Sequence, residues 1–178
     1  MNAGCLLMVG ENEGRVLAAR LRAGRILARA HPVQADVVIG VETNTGIQEA
    51  ALDGLRCARG KERTMIAASG EKVWAALALA ARMNVDRLAL INPCPAECAE
   101  TRKMQFFAMR NLFFCVSDVL VIERGDGRAF DRTVKRLSNS RVWRMTGATE
   151  TEIMDWTEEF LKCDDFSEFE GQIPARQA

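Results

Sequence analysis

No apolar run in this chain approaches the ~20 residues that a membrane-spanning helix needs. The opening Met1-Asn2-Ala3-Gly4 also lacks the basic stretch of a secretion signal, and the apolar segment from Cys5 to Val9 is too short for one. A cytoplasmic protein without a membrane partner is the expectation. Charge of one sign is missing too: 24 Lys and Arg residues balance 24 Asp and Glu residues, with a pI near 6.6. That excludes a protein that coats nucleic acid through its overall charge, so any such contact needs a local basic patch. Histidine is almost absent. His31, the single one, stands before Pro32 at an expected helix end, where a helix-terminal cation is a simpler role than one half of a nucleophile–histidine pair.

Six cysteines are present, mostly inside apolar segments, which reads as reduced core thiols. Cys94 and Cys98 are spaced like a metal-ligand pair, but no second pair stands at ligand spacing. No metal and no cofactor is expected.

What is there is an alternation. Apolar runs at 5–9, 36–41, 64–68, 87–91, 118–122 and, more weakly, 141–145 read as strands. Between them, helical spacing runs over 15–30, over a stretch opened by a Thr45/Gln48 capping box, and over 72–83, 100–115 and 130–137. A second capping box, Thr149 with Glu152, opens a helix to about Leu161. Residues 11–14 read as a loop, and Asn92 to Pro95 break a strand. Strands alternating with helices imply right-handed βαβ units. The expected fold is therefore α/β and Rossmann-like: a mainly parallel sheet of five to six strands with helices on both faces. It is expected as a single domain over 1–162, followed by an acidic and polar tail over 163–178.

In such sheets ligands sit beyond the carboxyl ends of the strands, at helix N-termini. Three strand ends carry small, polar loops: 10–14, 40–46 and 124–128. Gly10, Glu11, Asn44, Thr45, Gly46, Gly125 and Arg128 are the candidate phosphate-binding residues there. Each loop alone is equally a well-made turn; three together point to a site. Arg110 lies among Phe106, Phe107, Phe113 and Phe114. It is either an internal ion pair with Glu123 or Asp118, or an anion-binding arginine delivered to the site together with Asn111. The run Arg124, Arg128, Arg132, Lys135, Arg136 is either a solvated face or a phosphate-contacting patch. Trp74, Trp143 and Trp156 read as core residues rather than base-stacking platforms.

The stretch 40–55 (GVETNTGIQEAALDGL), the strand 64–68, the turn Asn92 to Pro95 and the segment 104–123 (MQFFAMRNLFFCVSDVLVIE) occur in an order that resembles DprA/Smf DNA-processing proteins and their SLOG relatives. The Arg110-Asn111 helix followed by Ser117-Asp118 and a strand ending in Glu123 is the most specific part. The resemblance implies a Rossmann-like domain that binds a nucleotide or single-stranded DNA, with Gly46, Arg110 and Asn111 in the site and homodimerisation as a possibility. Glu11 departs from the usual serine–arginine pair, and 124–128 departs from a serine-glycine loop. The Pro-Gly-Gly-x-Gly-Thr motif of the phosphoribohydrolase relatives is missing. A local resemblance of 21–41 to amidophosphoribosyltransferases implies the alternative of a phosphoribosyltransferase-like or nucleotide-hydrolysing enzyme; there, too, the paired acids expected near Glu123 are reduced to one. A degenerate domain used only for assembly is the third alternative.

Overall fold

A computed structural model describes residues 3–23, 26–30, 63–81, 85–97, 99–111, 116–125, 130–137 and 141–163. Six strands form one sheet: β1 (Ala3–Met8), β2 (Ile26–Ala30), β3 (Arg63–Ser69), β4 (Val85–Ile91), β5 (Val116–Glu123) and β6 (Arg141–Thr146). Their order is β2-β1-β3-β4-β5-β6, and every pairing is parallel. The helices are α1 (Glu11–Ala23), α2 (Lys72–Ala80), α3 (Ala99–Asn111), α4 (Asp131–Arg136) and α5 (Glu150–Lys162). The expected α/β fold with a parallel sheet is what forms.

Because successive side chains of a strand point to opposite faces, the central strands fill two cores. Leu6, Met8, Ile66, Leu88, Leu90, Val119 and Val121 face α2, α3 and the flanks of α4, Phe130 and Leu137. Cys5, Leu7, Met65, Ala89, Leu120 and Ile122 face α1 and α5. Strands buried on both sides need near-continuous apolar sequence, and 119–122 is fully buried. Trp74 and Phe130 meet with ring centroids 5.5 Å apart, and Trp74 Nε1 donates to the Cys94 carbonyl at 2.9 Å. Trp74 and Trp143 are core residues and Trp156 packs against the core, as the sequence predicts.

Two expectations are corrected. The helical spacing over 15–30 stops at Ala23, and Ile26–Ala30 is a strand beside β1. Leu17 and Leu21 do form a buried stripe; Ala28 falls in its continuation by coincidence, past Gly24, a residue type that ends helices. The second correction lies at 11–14, which is not a loop but the first turn of α1, with Gly14 N–H donating to the Gly10 carbonyl at 2.7 Å. The strand expected at 36–41 and the helix after Thr45 lie outside the described residues.

Arg87, Asp118 and Glu123 are the buried charged residues among those described. Arg87 on β4 is 3% exposed; its Nη1 donates to the Phe160 carbonyl at 2.8 Å, and its guanidinium stands 5.8 Å from the Phe160 ring centroid. Phe160 lies in the last turn of α5, where unpaired carbonyls and the helix dipole favour a cation. No helix among the described residues is long and apolar enough to cross a membrane.

Candidate functional site at the strand carboxyl ends

After β1 the chain moves to β2 on one side, while β3 lies on the other side of β1. At such a switch point the connections diverge and leave a crevice beyond the strand carboxyl ends. The chain has an open cleft of about 420 Å³ there. Its floor is made by residues at four strand ends: Val9, Ser69, Asn92 and Arg124. Its walls come from α1, with Glu13 and Leu17, and from α5, with Glu150, Ile153 and Met154.

Local chemistry explains how each strand end is held. Gly10 N–H donates to Glu13 Oε2 at 3.0 Å, half of a capping box with glycine at the cap. A Cβ on residue 10 would stand 2.6 Å from that oxygen, so the Glu13 carboxylate would have to shift. The turn after β3 uses Gly70 at φ +61°, whose N–H donates to the Ile91 carbonyl at 3.0 Å. Lys72, at the start of α2, donates through Nζ to the Val9 carbonyl at 3.0 Å and so ties β1 to α2.

Asn92 is the described non-glycine residue with positive φ, at 45°. Its N–H donates to the Ile122 carbonyl at 2.7 Å, and its Oδ1 accepts from Arg124 N–H at 2.9 Å. Asparagine tolerates this backbone region better than most side chains. Here it clamps the end of β4 to the end of β5 and sets where Arg124 leaves the sheet. The Arg124 side chain is 56% exposed, and its Nη2 stands 3.5 Å from Oε1 of Glu150, itself 75% exposed. An exposed pair at that distance is worth little, so the guanidinium is available to a ligand anion. The N-terminus of α5 is closed by the predicted capping box: Thr149 Oγ1 accepts from Glu152 N–H at 3.4 Å, and Thr149 N–H donates to Glu152 Oε2 at 2.8 Å.

Beside the cleft, Glu123 is buried and receives Arg144 Nε at 3.0 Å, while Arg144 also binds Asp131. Arg144 Nη2 lies 2.9 Å from the same Glu123 oxygen but out of line for a hydrogen bond. Burial alone disfavours the Arg144 charge; hydrogen bonding to Asp131 and attraction to Glu123 outweigh it and hold the guanidinium above its ordinary pKa. The cluster fastens β5, β6 and α4 together.

The predicted site residues separate. Gly10 and Glu11 are at the β1–α1 junction beside the cleft, and Gly125 follows β5, its carbonyl accepting from Gly147 N–H at 3.3 Å. Asn44, Thr45, Gly46 and Arg128 lie outside the described residues. Arg110 and Asn111 do not join the cleft. They close α3 five residues before β5 begins, at the amino end of the sheet. Arg110 is exposed with its guanidinium 5.4 Å from the Phe106 ring centroid. Neither expected ion pair forms: Asp118 takes Arg141 at 2.8 Å, and Glu123 takes Arg144. Of the basic run, Arg132 and Lys135 are exposed on α4. Cys5 is the buried thiol expected, whereas Cys94 is exposed. Among the described residues no group of His, Cys, Asp and Glu could hold a metal ion.

No protein-family model matches the chain, and no curated protein does. Among solved structures, it is similar to a chain from a crystal-structure study of carboxylesterases of the ammonia-oxidizing thaumarchaeon Nitrososphaera gargenis. The TM-score is 0.55 at 12% sequence identity, over 97% of this chain and 90% of the other. At that identity the likeness is one of fold. Fold and geometry together define an α/β domain with a parallel sheet and a cleft at its switch point.

Proposed function

We propose that this domain binds a small phosphate-bearing ligand, a nucleotide, in the cleft beyond β1, β3, β4 and β5. The carrying observation is Arg124, positioned by the Asn92 clamp and, among the described residues, paired with an exposed Glu150 at 3.5 Å. A phosphate that approaches Arg124 replaces a weak ion pair with a charge-assisted, bidentate one. Leu17, Ile153 and Met154 offer an apolar wall for a base.

Two carboxylates, Glu13 and Glu150, also line the cleft. They favour a ligand with one phosphate and hydroxyl or amino donors over a polyanion, which places a nucleotide ahead of single-stranded DNA. This reading agrees with the resemblance to DprA/Smf and SLOG domains, and with action in the cytoplasm. Calorimetric titration with nucleoside monophosphates tests it. Arg124→Ala is expected to weaken binding by about tenfold or more, the worth of a hydrogen bond to a charged group. Equal affinity in wild type and variant would remove Arg124 from the site.

A further inference from the structure

The balanced overall charge conceals a separation across the sheet. The helices on one face, α2, α3 and α4, carry net positive charge, while α1 and α5 on the other together carry net negative charge. Each excess is displayed on one long helix. On α3, Arg102, Lys103, Phe106 and Arg110 are exposed along one stripe at helical spacing. Phe106, at 64%, is one of two exposed large hydrophobic residues among those described. On α5, Glu152, Asp155 and Glu159 are exposed along one stripe. Both helices have 13 residues, about 20 Å of axis, so the stripes match in length.

We propose that the α3 stripe of one copy docks on the α5 stripe of a second copy, in a head-to-tail contact. A nucleic acid partner accounts for the basic stripe alone and is repelled by the acidic one. A second copy accounts for both, and Phe106 supplies the apolar anchor that exposed ion pairs lack. Because the two surfaces differ, the contact is heterologous and continues into a ring or a chain of copies. It leaves the cleft free, since neither stripe lines it.

The test uses the full chain in sedimentation velocity at low salt and at 1 M NaCl, over a concentration series. The mass is expected to rise above 19.7 kDa with concentration at low salt, and apparent association to fall by about tenfold or more at 1 M, where the screening length is about 3 Å. Two charge-altered variants decide the contact. Lys103→Glu with Arg110→Glu makes both stripes acidic; Thr151→Lys with Glu159→Lys cancels the charge of the α5 stripe while sparing the Thr149 cap and the Arg20–Asp155 pair. Each alone should be monomeric, and an equimolar mixture should assemble, which requires both to be folded. If either variant fails to fold by circular dichroism, Lys103→Gln with Arg110→Gln and the single Glu159→Gln replace them, each expected to weaken association. A wild type that stays at monomer mass at low salt overturns the proposal, as does assembly indifferent to these substitutions. Loss of oligonucleotide binding in the α3 variant, from a wild type that is always monomeric, assigns the stripe to nucleic acid instead.

Discussion

Replacing Gly10 with alanine places a methyl carbon 2.6 Å from Glu13 Oε2, so the carboxylate must swing away and the residue 10 N–H loses its acceptor. The contact is exposed, and a lost cap of this kind costs about 1 kcal/mol. Gly10 does not adopt positive φ, so alanine fits the backbone. By narrowing the unfolded ensemble it contributes about 0.4–1 kcal/mol in the opposite direction. In wild type the two effects nearly cancel or leave a small loss. With Glu13→Ala already made, only the second survives, and Gly10→Ala becomes stabilising. The coupling between the two substitutions should therefore be about 1 kcal/mol, read from urea unfolding of the four proteins of a double-mutant cycle. Glu13→Ala also removes a carboxylate from the cleft and frees the α1 N-terminus, so affinity for a nucleoside monophosphate should rise several-fold even as stability falls. Additive stabilities would refute the Gly10–Glu13 contact as the reason for glycine, and an unchanged affinity would refute the electrostatic reading of the wall.

Asn92→Ala should cost about 2 kcal/mol, combining left-handed backbone strain with the lost Arg124 N–H acceptor; Asn92→Asp keeps the acceptor and should lose much less in the same unfolding assay. Arg87→Met should cost about 1 kcal/mol by removing the Nη1 hydrogen bond to the Phe160 carbonyl. Thermal and urea unfolding within 0.5 kcal/mol of wild type (roughly the range of an ordinary surface substitution) would count against that role. Burial pushes the Cys5 thiol well above its ordinary value, so the folded state keeps a proton that the unfolded state releases. Stability linked to Cys5 is then full below the ordinary thiol pKa of about 8.5 and is lost as pH rises above it, by up to about 1.4 kcal/mol per pH unit. Cys5→Ala should flatten that alkaline decline in urea midpoints measured from pH 7 to 10.

The alternation of strands and helices is legible because two-sided burial forces continuous apolar runs such as 119–122, and helices sign their starts, as Thr149 and Glu152 do. The segment 26–30 misleads for a physical reason: a short strand with Ala28 and Ala30 has too few large residues to oppose a helical spacing that begins genuinely at Leu17 and Leu21. The general location of the cleft follows from the parallel topology alone. Its residues follow less well. Asn92 is visible only as the residue before Pro93, and nothing local indicates positive φ. Glu150 and Ile153 reach the cleft because α5 packs beside α1, a contact across more than a hundred residues. Arg110 misleads in the opposite sense: surrounded by phenylalanines in sequence, it is on the outer face of α3, where its charge meets solvent and the Phe106 ring.

Arg124 is proposed to receive the phosphate of a nucleotide in the switch-point cleft. Calorimetric titration of wild type and Arg124→Ala with a nucleoside monophosphate, and with the corresponding nucleoside, tests it most directly. The phosphate should strengthen binding to wild type, and Arg124→Ala should remove most of that advantage while leaving nucleoside binding nearly unchanged. Binding that is equal for nucleotide and nucleoside, or a phosphate advantage that survives the substitution, would contradict it.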